Sequence, residues 1–240
     1  MPASAIRIAA RGVAVALMLA ALGLMARNNL GFPGMWWDEA AQFWLSQGLS
    51  NYAPPQASPQ GVREALRFNR SENLDPGGFT VLLHYWARHD RSLERLRSLP
   101  LLFFVMGMAG LGLLGWRLTR SATGAVTASA LPLLYPAAIY FGFEIRAYSM
   151  EMAGIAWGAF LMTYALDKPT WPRLAALGLA GAVFLTSRYS YVFFVAALGA
   201  AIGWTAARHP GGWTAGGRRL FGVLLPVMVA GAVIAWGAFL

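Results

Sequence analysis

Long stretches without Asp, Glu, Lys or Arg constrain the fold of this chain more than any other feature. Five such runs cover residues 12–26, 98–116, 121–143, 189–207 and 220–240. Two weaker runs are 147–166, interrupted by Glu151, and 174–187. A helix needs about 20 apolar residues to cross a bilayer, so these runs predict seven spans. Charged residues make up only 12% of the chain, against about 25% in soluble domains, and we expect an all-α polytopic membrane protein.

One further apolar stretch, residues 76–87, is too short to span and opens with Pro76, Gly77 and Gly78. We interpret it as a helix on the outer surface of the membrane. Its placement leaves nine basic residues and one acidic residue inside, and 10 Arg with 9 acids outside, as the positive-inside rule requires. The inside residues are Arg7, Arg11, Arg117, Arg120, Lys168, Arg173, Arg208, Arg218, Arg219 and Asp167.

This topology predicts a single membrane domain over residues 1–240, with a long first outer loop at 27–97. Residues 51–61 are Pro-rich and predict a surface loop between two helical pieces. The run at 12–26 lacks a small-x-small cleavage site and predicts an uncleaved anchor. The end of the chain at Leu240, directly after an apolar run, is compatible with a fragment of a longer polytopic protein.

The ionisable residues exclude several kinds of site. The net charge is +9, but the Arg residues are scattered instead of forming a stripe, which argues against a nucleic-acid partner. The absence of Cys excludes disulfides, a thiolate nucleophile and Cys-ligated metal. The three His residues lack metal-ligand spacing. No cofactor is certain, and a divalent metal stays open because Asp38, Glu144 and His84 could meet in space.

The first outer loop begins with a paired acid in the segment WWDEA, which contains Asp38 and Glu39. Helical spacing places Trp37, Ala41, Trp44 and Leu45 on one apolar stripe, and Asp38, Gln42 and Ser46 on a polar face. The pattern predicts an interfacial helix that presents a carboxylate at the membrane surface. The alternative is that the two acids only complement the helix dipole.

Two more polar groups fall on the outer face in this topology. Glu144, Tyr148 and Glu151 have the spacing of one helix face, with Arg146 beside them, and Arg188 lies in the turn between spans five and six. Each group alone could be structural. Together they supply a carboxylate to accept a proton and cations to stabilise a leaving phosphate, which transfer of a group from a lipid phosphate requires.

These residues give the chain a resemblance to a known family. WWDEA, an Asp-Pro segment leading into LLHYW, then RLRSLP and finally FEIRAYSMEM occur in an order that resembles the membrane glycosyltransferases of the C-type superfamily (GT-C). The similarity is to the bacterial relatives of dolichyl-phosphate-mannose protein mannosyltransferases and lipid A aminoarabinose transferases, over residues 5–205. The sequence departs from the pattern at Gly77 and Gly78, where relatives often have Pro-Pro, which puts a donor-loop role of Asp75 and Pro76 in doubt.

The resemblance implies an inverting transferase that moves a sugar from a polyprenyl-phosphate donor to a lipid, glycan or protein acceptor. It implies a bacterial plasma-membrane protein with its active site facing the periplasm. Asp38 is the expected general base and Glu39 a supporting residue. The residues expected to bind the donor and its phosphate are Glu144, Arg146, Tyr148, Arg188 and, as a weaker candidate, Arg97.

Two alternatives come from other classes. One is a transporter or flippase for a lipid-linked substrate, although coupled transporters usually carry ionisable groups near the bilayer midplane and only Glu151 approaches that depth. The other is a non-catalytic membrane subunit of an envelope-synthesis complex.

Overall fold

The structure is a computed structural model, and it describes residues 3–54, 56–73, 75–168, 170–207 and 231. All regular elements in these residues are helical, as the sequence predicts. The predicted seventh span at 220–240 and the basic residues Arg208, Arg218 and Arg219 lie outside the described residues, apart from the single position 231.

Ten α-helices follow one another along the described chain. They are α1 (Ala3–Leu30), α2 (Trp37–Ser46), α3 (Val62–Phe68), α4 (Gly78–Trp86), α5 (Leu93–Thr119), α6 (Ala122–Ala130), α7 (Pro136–Phe143), α8 (Tyr148–Asp167), α9 (Trp171–Leu185) and α10 (Tyr191–Ala207). A π-helical turn, Asn69–Asn73, follows α3, and a 3₁₀ turn, Leu131–Leu134, follows α6.

Membrane-spanning capacity is clearest for α1 and α5. Ile8–Leu30 and Leu93–Thr119 are long and apolar enough to cross a membrane. The predicted span at 121–143 is instead two pieces, Ala122–Leu134 and Pro136–Phe143, which meet at 78°. Pro136 has no N–H to continue the preceding helix, and its ring disfavours a helical Tyr135. Two candidate spans are therefore present in the described chain, or three if the bent pair counts as one.

The first outer loop folds into a compact cap of three short helices. The interhelical contacts of α2 are with α3 and α4, and those of α4 extend to α5. Residues 51–54 and 56–61 lack helix and separate α2 from α3, as the Pro-rich sequence predicts. The nine residues of α4 are too few to span a bilayer. Its buried face, with Phe79 and Leu83, packs into a core cluster that also contains residues of α5, α8, α9 and α10.

The face of α2 that the sequence predicts to be polar and accessible is mostly buried. Gln42 and Ser46 are buried, while Trp37 on the predicted apolar stripe is 75% exposed. The reason is that α4 and the π turn supply polar partners for Gln42, which no helical period within α2 could indicate. Only Asp38 of that face remains partly accessible, with a side chain 46% exposed.

The most extensive helix contact in the described chain joins α5 to α8. A Cβ added at Gly110 would lie 3.1 Å from the Cβ of Ala156, so the two backbones approach closely there. The two helices run in the same direction: Arg97 and Tyr148 lie near their starts, and Arg117 pairs with Asp167 near their ends, at 2.9 Å. We call the end where α5 and α8 begin the site end.

Candidate functional site

The site is built on the first turn of α2. Trp36 is extended and forms the N-cap, and Asp38 and Glu39 occupy the first turn, where acids complement the helix dipole. The Trp36 N–H donates to Glu39 Oε2 at 3.1 Å. Neighbouring side chains diverge on a helix, and the two carboxylates accordingly contact different partners: Asp38 meets Arg146, and Glu39 meets Arg97.

Glu39 and Arg97 form a buried pair. Arg97 donates through Nε to Glu39 Oε1 at 3.2 Å and through Nη2 to Oε2 at 2.9 Å. Its remaining N–H groups reach the carbonyl oxygens of Asn29, Phe32 and Gly34. An Arg side chain has five N–H donors, and all five are engaged here, so no donor is left for a phosphate.

Glu39 also organises the turn between α7 and α8. Its Oε1 accepts the N–H of Ile145 at 3.1 Å, and Ile145 is fully buried. The sequence predicts Glu144, Tyr148 and Glu151 on one helix face, but this is wrong for Glu144. It is the C-cap of α7 with an extended backbone, and α8 begins only at Tyr148. Glu39 therefore holds both Arg97 and the turn that carries Glu144 and Arg146.

Arg146 and Arg188 flank one aromatic ring. Arg146 donates through Nη1 to Asp38 Oδ2 at 2.6 Å. Its guanidinium carbon is 5.3 Å from the centre of the Tyr148 ring, and that of Arg188 is 4.2 Å from the same centre. Cations within about 6 Å of a ring centre are attracted to it. The three polar groups predicted from separate parts of the sequence thus converge at the site end.

Arg188 is also close to two carboxylates that the sequence analysis did not assign to the site. Its Nε is 3.9 Å from Asp75 Oδ1 and 3.9 Å from Glu151 Oε2. Ser190 donates to Glu151 Oε1. Burial raises the pKa of Asp75, and Arg188 and then Arg146 oppose that rise. The Asp-Pro dipeptide before α4 pointed to Asp75 in the sequence, but Gly77 and Gly78 left its role in doubt there.

The glycines that depart from the family pattern bring Asp75 to this position. Gly77 has a φ of +96°, in the left-handed region that Gly tolerates and Pro cannot adopt. Gly78 donates its N–H to the Thr186 carbonyl at 2.9 Å, and a Cβ there would lie 2.7 Å from that oxygen. A Pro-Pro pair would lose this bond and clash, so the two glycines dock the Asp75 segment onto the turn that holds Arg188.

A closed ring of hydrogen bonds connects α2, α4 and the π turn within the cap. Gln42 donates to Thr80 at 2.8 Å, Thr80 to Asn69 at 2.6 Å, and Asn73 to both Asn69 and Gln42. Asn69 also donates to the Asp75 carbonyl at 2.7 Å. The ring ties the helix of Asp38 to the segment of Asp75. The two bonds to Gln42 span 31 and 38 positions of sequence, and no local pattern predicts them.

Glu144 borders a cavity next to these pairs. The side chain is buried, and its Oε2 has no hydrogen-bond partner among the described residues. Burial raises the pKa of Glu144 to about 7; Arg146 opposes the rise, and Glu39 and Asp38 add to it. The cavity has a volume of about 310 Å³. Its lining includes Phe32, Trp36, Tyr140, Phe143, Glu144 and the Glu39–Arg97 pair.

No cluster of three or more His, Asp or Glu side chains in the described residues has a geometry that could hold a metal ion. His84 does not meet Asp38 and Glu144. Its Nδ1 is 2.7 Å from the carbonyl oxygen of Ser46, between α4 and α2.

The fold and the site define an all-helical protein with apolar helices that suit a membrane and a charged cluster at one end of its helices. No family model, curated protein or solved structure matches the chain.

Proposed function

We propose that this chain is an inverting glycosyltransferase that moves a sugar from a polyprenyl-phosphate carrier to an acceptor at the outer face of a bacterial plasma membrane. The observation that carries the proposal is the convergence of Asp38, Arg146, Tyr148 and Arg188 at the site end. The resemblance of WWDEA and FEIRAYSMEM to GT-C enzymes supports the same activity.

The two site arginines differ from Arg97 in the donors they have left. Arg146 makes one hydrogen bond, through Nη1, within the described residues. Arg188 makes none there, because its carboxylate partners lie at 3.9 Å. Both guanidinium groups therefore have N–H donors for phosphate oxygens, and charge-assisted bonds of this kind are strong. Arg97 is assigned a positioning role with Glu39.

The proposed reaction has a simple balance of bonds. An acceptor hydroxyl attacks the anomeric carbon of the sugar, and Asp38 takes the hydroxyl proton. The bond from the anomeric carbon to the phosphate oxygen breaks, and its electron pair leaves with the polyprenyl phosphate. Arg146 and Arg188 stabilise the charge that develops on that phosphate.

The proposed topology has seven spans with the site end outside. The positions of α8, α9 and α10 on the predicted apolar runs support this arrangement. So does the pairing of Arg117 with Asp167 at the far end of the helices, because both were assigned to the inner side.

Purified protein in liposomes tests the function directly. We expect transfer of radiolabelled sugar from a polyprenyl-phosphate sugar to an extracted envelope acceptor, with release of polyprenyl phosphate. Uptake of the donor across the bilayer without product would favour a transporter. Absence of both donor binding and product over a panel of donor sugars would favour the non-catalytic subunit.

A further inference from the structure

A small recess lies at the end of the helices opposite the charged cluster, between α1 and α6. It has a volume of about 210 Å³. We call it the far-end recess, and the residues that line it are Ala10, Arg11, Ala14, Thr123, Val126 and Thr127. The proposed transfer reaction uses none of these residues.

The direction of α1 places the far-end recess at the other membrane surface. The end of α1 lies at the site end, because the Asn29 carbonyl accepts a hydrogen bond from Arg97. Arg11 precedes Asn29 by 18 residues of continuous helix, which rise about 27 Å. That length is close to the roughly 30 Å of hydrocarbon in a bilayer. When the site end lies in one headgroup layer, Arg11 therefore lies in the other.

The far-end recess offers three hydrogen-bonding side chains that have no partner among the described residues. Arg11 is exposed and makes no ion pair there, and the hydroxyls of Thr123 and Thr127 make no hydrogen bond there. The hydroxyls of Thr119 and Thr163, in contrast, each donate to a carbonyl oxygen of their own helix at 2.7 Å. The guanidinium and the two hydroxyls of the recess are therefore available to a ligand.

The charges around the far-end recess favour an anion. No Asp or Glu lines it. Thr123 is the second residue of α6, whose first turn contains no acid, so no side chain of that turn compensates the positive end of the helix dipole. A phosphate diester carries one negative charge, and its oxygens can accept from Arg11 and from both threonine hydroxyls.

The apolar part of the lining continues onto a surface that suits an acyl chain. Ala10, Ala14 and Leu17 have the i, i+4, i+7 spacing of one helix face, and Leu17 is 65% exposed. The recess is smaller than the roughly 300–1,000 Å³ of pockets that enclose a whole small molecule. It therefore suits a phosphate and its glycerol linker, with the acyl chains lying along α1.

We propose that the far-end recess binds the phosphate of one anionic glycerophospholipid, with Arg11, Thr123 and Thr127 donating to phosphate oxygens. The lipid belongs to the leaflet opposite the site end. A glycerol headgroup is favoured over choline or ethanolamine, because no carboxylate lines the recess to pair with their positive nitrogen. The inference does not depend on sugar transfer, so it and the proposed function can fail separately.

Native mass spectrometry of the purified protein in detergent tests this binding, with dioleoylphosphatidylglycerol as the probe. We expect saturable binding of one lipid, with an affinity about fivefold to tenfold higher than for dioleoylphosphatidylcholine, because the choline nitrogen is repelled by Arg11 and the α6 dipole. The thermal unfolding midpoint should rise with the concentration of phosphatidylglycerol, since the lipid binds only the folded chain.

Two variants separate the contributions of charge and hydroxyls. Arg11→Gln removes the cation and should weaken phosphatidylglycerol binding about tenfold. Thr123→Val combined with Thr127→Val keeps the shape and should weaken it about threefold to tenfold. The threonine pair leaves the distribution of basic residues unchanged, so it tests the recess even if Arg11→Gln inserts poorly. Arg27→Gln, exposed at the other end of α1, and Thr163→Val, whose hydroxyl bonds within α8, are matched controls that should bind as wild type does.

Four results would overturn the proposal. Equal affinity for phosphatidylglycerol and phosphatidylcholine would remove the anion preference. Equal losses in Arg11→Gln and Arg27→Gln would reduce the attraction to a general effect of basic residues. Displacement of the lipid by an equimolar amount of inorganic phosphate would make the recess a free-anion site. A loss in Arg146→Lys without a loss in Arg11→Gln would place the lipid at the charged cluster.

Discussion

Glu39 and Arg97 meet through two hydrogen bonds, of 3.2 and 2.9 Å, with side chains only 5% and 6% exposed. The remaining Arg97 donors bind carbonyl oxygens of residues 29, 32 and 34. The pair therefore joins the chain that leaves α1 to the start of α5, and Glu39 extends the junction to Ile145.

Arg97→Lys should destabilise the fold more than it changes any chemistry. Lys cannot make the paired, forked contacts of the guanidinium. Removing one partner of a buried ion pair typically costs about 3–5 kcal/mol, and Lys should cost part of this because it keeps the charge but not the geometry. We expect a clear fall in the thermal unfolding midpoint of ligand-free protein in detergent. Arg67→Lys, in an exposed pair with Glu64, is the control. Equal midpoints in the two variants would remove the structural role of Arg97.

Asp38→Asn should abolish transfer while preserving the fold. The side chain is 46% exposed, and an amide oxygen can still accept from Arg146, but Asn cannot take a proton. Loss of a general base typically costs about 100-fold to 10,000-fold in rate. Single-turnover transfer and the unfolding midpoint should be measured together, with Glu94→Gln as the exposed control. Near-normal turnover in the Asn variant would show that Asp38 is not the base.

Arg146→Lys and Arg188→Lys should both weaken binding of the polyprenyl-phosphate donor, because Lys cannot form a bidentate hydrogen bond to phosphate. A lost charge-assisted bond corresponds to about 10-fold to 100-fold in affinity. We expect the larger effect at Arg146, which also contacts Asp38. The assay is donor binding and turnover, and Arg27→Lys on exposed α1 surface is the control. If Arg146→Lys matches that control, the charged cluster is structural.

Glu144→Gln should raise stability at alkaline pH. The pKa of Glu144 is about 7 in the fold, against 4.5 as the ordinary value, because the carboxyl is buried. Below about pH 4.5 the Glu144 carboxyl is protonated in both the folded and the unfolded chain, so its titration does not change the free energy of unfolding. As pH rises from about 4.5 to 7, the unfolded chain releases its proton first, so the wild type loses stability, by up to about 3 kcal/mol.

The measurement compares unfolding midpoints of Glu144→Gln and wild type at pH 5 and pH 8. The variant should gain more relative to wild type at pH 8 than at pH 5, because at pH 5 the wild type has lost only the first part of this stability. Asp90→Asn is a suitable control, since hydrogen bonds from Ser92 lower the pKa of Asp90 and its contribution is constant over this range. If the midpoints of Glu144→Gln and wild type differed by the same amount at both pH values, burial would not be raising the pKa of Glu144.

Single cysteines can be used to test the proposed topology without background, because the natural chain contains no Cys. Tyr52→Cys should react with a membrane-impermeant thiol reagent added to intact cells, since the first loop is placed outside. Leu118→Cys and Lys168→Cys should react only after the membrane is opened. Labelling of Lys168→Cys from outside would reverse the orientation and place the Asp38 site on the inner face.

The sequence predicts most of the helices because apolar runs and breakers are local signals. The run at 98–116 lies within α5, the run at 147–166 matches α8 to within one residue at each end, and Pro76 with the two glycines marks the start of α4. The break in the run at 121–143 was missed, although Pro136 is its physical cause. Hydropathy averages over a window and does not register a single residue that redirects the chain.

The site was predictable as a set of residue types but not as a set of partners. Divergence of Asp38 from Glu39 follows from helical spacing. Glu39 and three backbone carbonyl oxygens fill every donor of Arg97 and so exclude it from phosphate binding, and these contacts span 58 to 68 positions of sequence. The docking of Gly78 onto Thr186 is equally distant. Such contacts are fixed by packing and leave no periodic trace.

The close approach of α5 and α8 at Gly110 links the packing of the apolar helices to the spacing of the charged cluster at the site end. Arg97 is carried by one of these helices and Tyr148 by the other. A methyl group at Gly110 would meet Ala156 at 3.1 Å and Trp157 at 3.1 Å, so it would act as a spacer between the two helices. A Gly110→Ala change alters no polar residue, yet it would require the helix of Arg97 or the helix of Tyr148 to give way by a few tenths of an ångström.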